Sequence, residues 1–151
     1  MPKLLVFAPC EKVIISQDEN NPTLIAILST VGGEFETPQP LNDKTAMAPM
    51  RWSIFSLWQK ETGDEAKTFV QHLRFISPSG RRAIDGGQDF RMLAAIHRMS
   101  AHIGGIPVGE NGVWRLELFM YESGQPIPKE PLASYPLEIQ FAAKVTGETA
   151  H

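Results

Sequence analysis

The residues of this chain best suited to metal or nucleophilic chemistry are His72, His97, His102, His151 and a single cysteine, Cys10. A zinc centre needs three or four nitrogen or sulfur ligands that converge. His97 and His102 are five residues apart. On a strand that odd spacing sends them to opposite faces, and on a helix it misses the i, i+4 stack. No Cys-x-x-Cys, His-x-x-x-His or carboxylate cluster accompanies them. Cys10 would be a nucleophile only beside a base that lowers its pKa; next to Pro9 it reads as a small buried hydrophobe. Ser77, Ser79 and Ser100 lack a nucleophile-elbow context. Asp85 and Asp89 flank Gly86-Gly87 and could hold a cation loosely, but two carboxylates without further oxygen ligands make a weak calcium signal. The diglycines at 32–33, 86–87 and 104–105 form neither a dinucleotide fingerprint nor a phosphate loop. They read as strand ends and bulges. With no reactive constellation, the expectation is a protein that is not an enzyme and uses no metal or cofactor.

The aromatic residues point elsewhere. Trp52 and Trp58 fall on one face of a strand, about 20 Å apart at the usual rise per residue, with Phe55 on the other face. Phe119 and Tyr121 lie opposite Trp114 on theirs. Both faces of two strands are therefore apolar over part of their length, whereas in a sandwich only one face of each sheet meets the core. Either another segment covers the second face, or that face is a patch for a partner. The second reading makes Trp52, Trp58, Phe119 and Tyr121 the candidate binding residues. The partner is then a protein, including another copy of this chain; the alternative is a carbohydrate or small molecule stacked on surface tryptophans.

The elements that must position these side chains are strands. Trp114, Leu116, Leu118 and Met120 alternate with Arg115, Glu117, Phe119 and Tyr121, the period-2 pattern of a two-faced strand. Ser123-Gly124 breaks it, Pro126, Pro128, Pro131 and Pro136 keep the next stretch irregular, and Leu137, Ile139 and Phe141 supply a closing strand. Leu4–Phe7 is a short buried strand, resumed at Val13–Ile15. Residues 17–22 read as a polar turn, and Thr23–Val31 as its hairpin partner, ended by Gly32-Gly33. Thr37–Pro49 reads as a loop. Arg51–Lys60 and Ala66–Ile76 are strands joined by a hairpin turn at Glu61–Glu65. Ser77–Gly80 is a turn and Ile84–Asp89 a loop. Phe90–Met99 is ambiguous: Met92, Leu93, Ala95, Ile96 and Met99 fit a helical stripe with Asp89 as cap, while His97–Ile106 suits a strand.

About eight short strands, joined by one short helix if Phe90–Met99 takes its helical reading, predict an all-β, antiparallel sandwich. The 151 residues are expected to form a single β-sandwich domain, long enough to bury a core without disulfide or metal. A net charge of −3 and a pI near 5.8 argue against a nucleic-acid footprint. The apolar run Leu4–Ala8 is too short for a secretory leader, and no run reaches membrane-spanning length. The expectation is a cytoplasmic protein with no membrane or nucleic-acid partner.

Three segments carry a family resemblance. They are Thr23–Val31 with the Phe-x-x-Pro step at Phe35–Pro38, His72–Gly80, and Gly109–Leu118 with the following Gly124. In their order these resemble a family of small, uncharacterised bacterial proteins with an immunoglobulin-like β-sandwich. The resemblance implies that fold for most of the chain and implies no activity. The combined expectation is a non-catalytic binding or interaction protein that self-associates or holds a protein partner through an apolar sheet face.

Overall fold

The computed structural model describes residues 1–16, 21–38 and 41–146. Its strands are β1 (Lys3–Ile15), β2 (Pro22–Ile27), β3 (Thr30–Thr37), β4 (Met47–Gln59), β5 (Phe69–Ile76), β6 (Arg82–Phe90), β7 (Ile96–Pro107), β8 (Gly112–Glu122) and β9 (Ala133–Val145). They form two sheets, ordered β2-β1-β4-β7 and β3-β9-β8-β5-β6. The runs β1-β4-β7 and β9-β8-β5 reproduce the strand order that defines an immunoglobulin-like sandwich. Every pair is antiparallel except β3 and β9, which run parallel with Val31 opposite Ile139.

The sandwich follows from period-2 patterning. β4 turns Trp52, Ile54, Ser56 and Trp58 inward, β8 turns Trp114, Leu116, Leu118 and Met120 inward, and β9 adds Leu137 and Ile139. β5 contributes Phe69, Leu73 and Phe75. The aromatic rings interlock across the interior: Trp52 lies 5.6 Å from Phe75, and Phe75 lies 4.9 Å from Trp114. Offset rings at these separations add to the stabilisation from apolar burial.

Several local expectations are corrected. Leu4–Phe7 and Val13–Ile15 are one continuous strand, because Pro9 sits opposite Ile54 in the ladder rather than breaking it. Thr23–Val31 is not a single strand. Ala26 has a positive φ of 52°, and after Ile27 the chain leaves the first sheet and enters the second at Thr30. Gly32-Gly33 does not end a strand but lies inside β3, where a Cβ on Gly32 would sit 2.3 Å from the Gln140 carbonyl oxygen. Ile84–Asp89 is strand rather than loop, paired along its length with β5. Glu61–Glu65 is not a hairpin turn, since β4 and β5 belong to opposite sheets. Its corner is held by Asp64, whose carboxylate accepts the Glu61 N–H at 2.8 Å. A 3-10 turn at Asp64–Ala66 is the only helical element among the described residues. The Phe90 segment is no helix: Phe90 and Met92 are buried while Leu93 is 76% exposed, which a helical stripe containing both would not allow. Residues 17–20 of the expected polar turn, 39–40 of the expected loop, and His151 lie outside the described residues.

Trp58 is fully buried and donates its indole N–H to Gln71 Oε1 at 2.9 Å. Trp58→Ala should therefore lower stability by about 3–5 kcal/mol, the usual cost of emptying a buried aromatic site. A urea titration checks this, and an unchanged midpoint would show that Trp58 is not a core residue.

Candidate functional site

The four candidate residues do not come together. Trp52 and Trp58 are 1% and 0% exposed on the inner face of the first sheet. Trp52 donates to the Gly105 carbonyl at 2.8 Å, and Trp58 stacks on Phe90 at 5.6 Å. Phe119 and Tyr121 lie on the outer face of the second sheet, opposite His72 and Val70. The surface-tryptophan reading is thereby corrected: Trp114 is buried as well, so no indole offers a sugar-stacking platform. Each tryptophan occupies an inward position of its strand and finds a hydrogen-bond acceptor inside the fold.

The second apolar face is closed by charge. On the outer side of β5, His72 and Arg74 reach across to Asp85 of β6. His72 Nε2 lies 2.5 Å from Asp85 Oδ1, Arg74 Nε lies 3.1 Å from the same oxygen, and Arg82 approaches Oδ2 at 3.1 Å. The Arg74 guanidinium covers the Phe119 ring at 4.8 Å, which leaves Phe119 2% exposed. His72 meets that ring edge-on at 6.3 Å. The Tyr121 hydroxyl approaches His72 Nδ1 at 3.5 Å, a weak contact. Gly87 makes room for this packing, because a Cβ there would lie 2.9 Å from Val70 and 3.3 Å from His72 Nδ1. Asp85 thus serves an ion-pair network rather than a cation site, and its carboxyl is held down at about 2, chiefly by the His72 hydrogen bond and further by Arg74 and Arg82. The period-2 pattern of β5 already put His72 and Arg74 on one face. Their partner was hidden because Asp85 sits beside two glycines that read as a loop.

The remaining histidines fall on opposite faces of β7, as their odd spacing requires. His97 stacks on Phe90 at 5.3 Å, and burial pushes its pKa down. His102 points outward, with Ser53 Oγ 3.0 Å from its Nδ1. Cys10 pairs with Ser53 in the ladder and is fully buried. Burial raises its thiol pKa, with a smaller opposing effect from the Lys12 backbone, so it stays protonated and unreactive at neutral pH.

The first sheet has a second exposed feature. β1 pairs with β4 only as far as Cys10 opposite Ser53, while its pairing with β2 continues from Cys10 to Ile15. Residues 11–15 and 22–27 consequently form a two-stranded ribbon that parts from β4. It carries Ile14, Ile15, Ile25 and Ile27, respectively 42%, 44%, 40% and 57% exposed. Composition alone did not mark these residues, since alternating isoleucines in a strand normally face a core. Beside the parting of the ribbon from β4 opens a cleft of about 750 Å³, lined by Glu11–Val13 of β1, Arg51–Ser53 of β4 and His102–Gly104 of β7. Among the described residues, no group of three or more His, Cys, Asp or Glu side chains is placed to hold a metal ion. No helix among them is long and apolar enough to cross a membrane.

The chain is an immunoglobulin-like β-sandwich by its own strand order. No family model matches it, and no curated protein matches it. Among solved structures it is similar to an immunoglobulin-like protein from Pseudomonas aeruginosa. The two are 16% identical over 92% of this chain and 96% of that chain, with a TM-score of 0.39.

The Asp85 network sets a pH dependence. A carboxyl whose folded-state pKa lies below its unfolded value of 3.8 stabilises the fold above that value. The contribution is lost as pH falls through 3.8 toward about 2. Asp85→Asn should lower stability at neutral pH and flatten the fall in stability across that acid window. Urea midpoints measured against pH decide it; parallel curves for variant and wild type would remove Asp85 from this role.

Proposed function

We propose that this protein is a non-catalytic binding module that associates with a second copy of itself through the β1–β2 ribbon. The observation that carries the reading is the set of exposed isoleucines Ile14, Ile25 and Ile27 on one face of the β1–β2 ribbon. A two-stranded ribbon is marginal by itself in water, and an exposed aliphatic edge strand such as β2 pairs readily with another chain. A two-fold contact between two such ribbons would bury Ile14, Ile25 and Ile27 of both, since these three share one face. The polar groups nearest to chemistry support a non-catalytic role, because they are already engaged within the fold. Asp85 is bound by three side chains, and the Cys10 thiol is buried and protonated.

Light scattering behind a sizing column, at two loading concentrations, tests this reading. The wild type should run near twice its 16.8 kDa chain mass. The double variant Ile25→Lys, Ile27→Lys should run as a monomer that still unfolds cooperatively, since neither residue contributes to the core. A wild type that is monomeric at both concentrations would overturn self-association.

A further inference from the structure

We propose that the cleft between β1 and β4 is an acceptor site for an extended peptide with alternating apolar and acidic side chains, which adds to the sheet as a strand. The site lies on the edge of β1 opposite β2, so it does not require the ribbon to self-associate.

The geometry is that of a sheet opened along one seam. β1 and β4 pair from Lys3 opposite Gln59 to Cys10 opposite Ser53 and then separate. Past that point β1 continues to Ile15 with β2 on one side only, and β4 runs back to Met47 with β7 on one side only. Among the described residues, neither facing edge has a strand partner. In an extended strand alternate residues direct both their N–H and C=O to the same side. The β1 wall of the cleft therefore presents main-chain donors and acceptors at strand spacing, whereas the β4 wall is interrupted by a bulge between Pro49 and Trp52. Another extended main chain is the ligand that satisfies such a row of donors and acceptors, as in recognition by strand addition. The open length of β1, Glu11–Ile15, accommodates about five residues, roughly 17 Å at the usual rise.

The walls also define which side chains fit. Toward the interior, a bound strand would meet Val13 and the buried Trp52, which select apolar residues at alternate positions. Toward solvent it would meet Lys12, which shares a face with Cys10 and Ser53, together with Arg51 and His102. The Lys12 and Arg51 side chains have no hydrogen-bond or ion-pair partner among the described residues, and Glu11 supplies a single opposing carboxylate. Two fixed cations against one carboxylate favour acidic residues at the outward positions.

Fluorescence anisotropy with labelled, end-blocked seven-residue peptides tests the site. An alternating Val/Glu peptide should bind at least tenfold more tightly than its alternating Val/Lys counterpart. It should also bind at least tenfold more tightly than the same Val/Glu peptide N-methylated at every residue, which has no main-chain N–H left on either edge to pair as a strand. Lys12→Glu with Arg51→Glu should reverse the charge preference without changing the unfolding midpoint, because both side chains are on the surface. The double variant Ile25→Lys, Ile27→Lys should still bind the Val/Glu peptide, which separates this site from the ribbon contact. The proposal is overturned if no alternating peptide binds, if N-methylation leaves binding unchanged, if charge reversal has no effect, or if the isoleucine variant loses binding.

Discussion

One buried amide holds the two sheets in a fixed relation. Gln71 projects from β5 into the core at 3% exposure, and its Oε1 accepts from two β4 groups of the opposing sheet, Ser56 Oγ at 2.5 Å and Trp58 Nε1 at 2.9 Å. An indole N–H can only donate, which fixes the orientation of the amide. Apolar contacts are non-directional and tolerate sliding, whereas a buried amide with two donors does not, because losing either leaves a polar atom unpaired in the interior. The aromatic stack follows from this placement. Trp58 lies on Phe90, Phe90 lies on His97, and the β6–β7 connection is drawn over the core with Met92 buried beneath it.

The same economy governs the sheet edges. The chain passes from the edge of one sheet to the edge of the other between β2 and β3, so that β3 can lie parallel to β9. That close approach requires Gly32, whose missing side chain leaves room for the Gln140 carbonyl. The transfer has a consequence on the first sheet. β1 follows β2 beyond Cys10 while β4 follows β7, and the seam between them opens. The exposed ribbon and the cleft are two results of this divergence, which explains why the solvent-facing aliphatic residues and the unpaired strand edges occur side by side.

The outer face of the second sheet shows how an apolar stretch can be closed without a covering layer. Phe119 would be exposed on a bare sheet, yet the Arg74 guanidinium lies across it and is itself anchored by Asp85. Arginine suits this position because its planar group stacks on a ring while its N–H groups reach a carboxylate. On the first sheet, by contrast, the isoleucines of the ribbon remain exposed.

Much of the architecture was legible in the sequence. Period-2 alternation in β4, β5, β8 and β9 is a local property, and it correctly placed Trp52, Trp58, Trp114 and Phe75 on the sides of their strands that became the core. It also assigned His97 and His102 to opposite faces. Whether a given face meets protein or water is not local. Phe119 is hidden by a residue from another strand, and Asp85 pairs with His72 only because a stretch that reads as a loop completes the sheet edge. The path of Thr23–Val31 likewise depends on partners more than a hundred residues away in β9. The sequence by itself determined which side chains share a face in β4, β5, β8 and β9, because this follows from the alternation of side chains along an extended backbone. Only the tertiary structure decided which strands pair, where β1 and β4 part, and which apolar residues stay in water, because those outcomes depend on hydrogen bonds and packing between segments far apart in the chain.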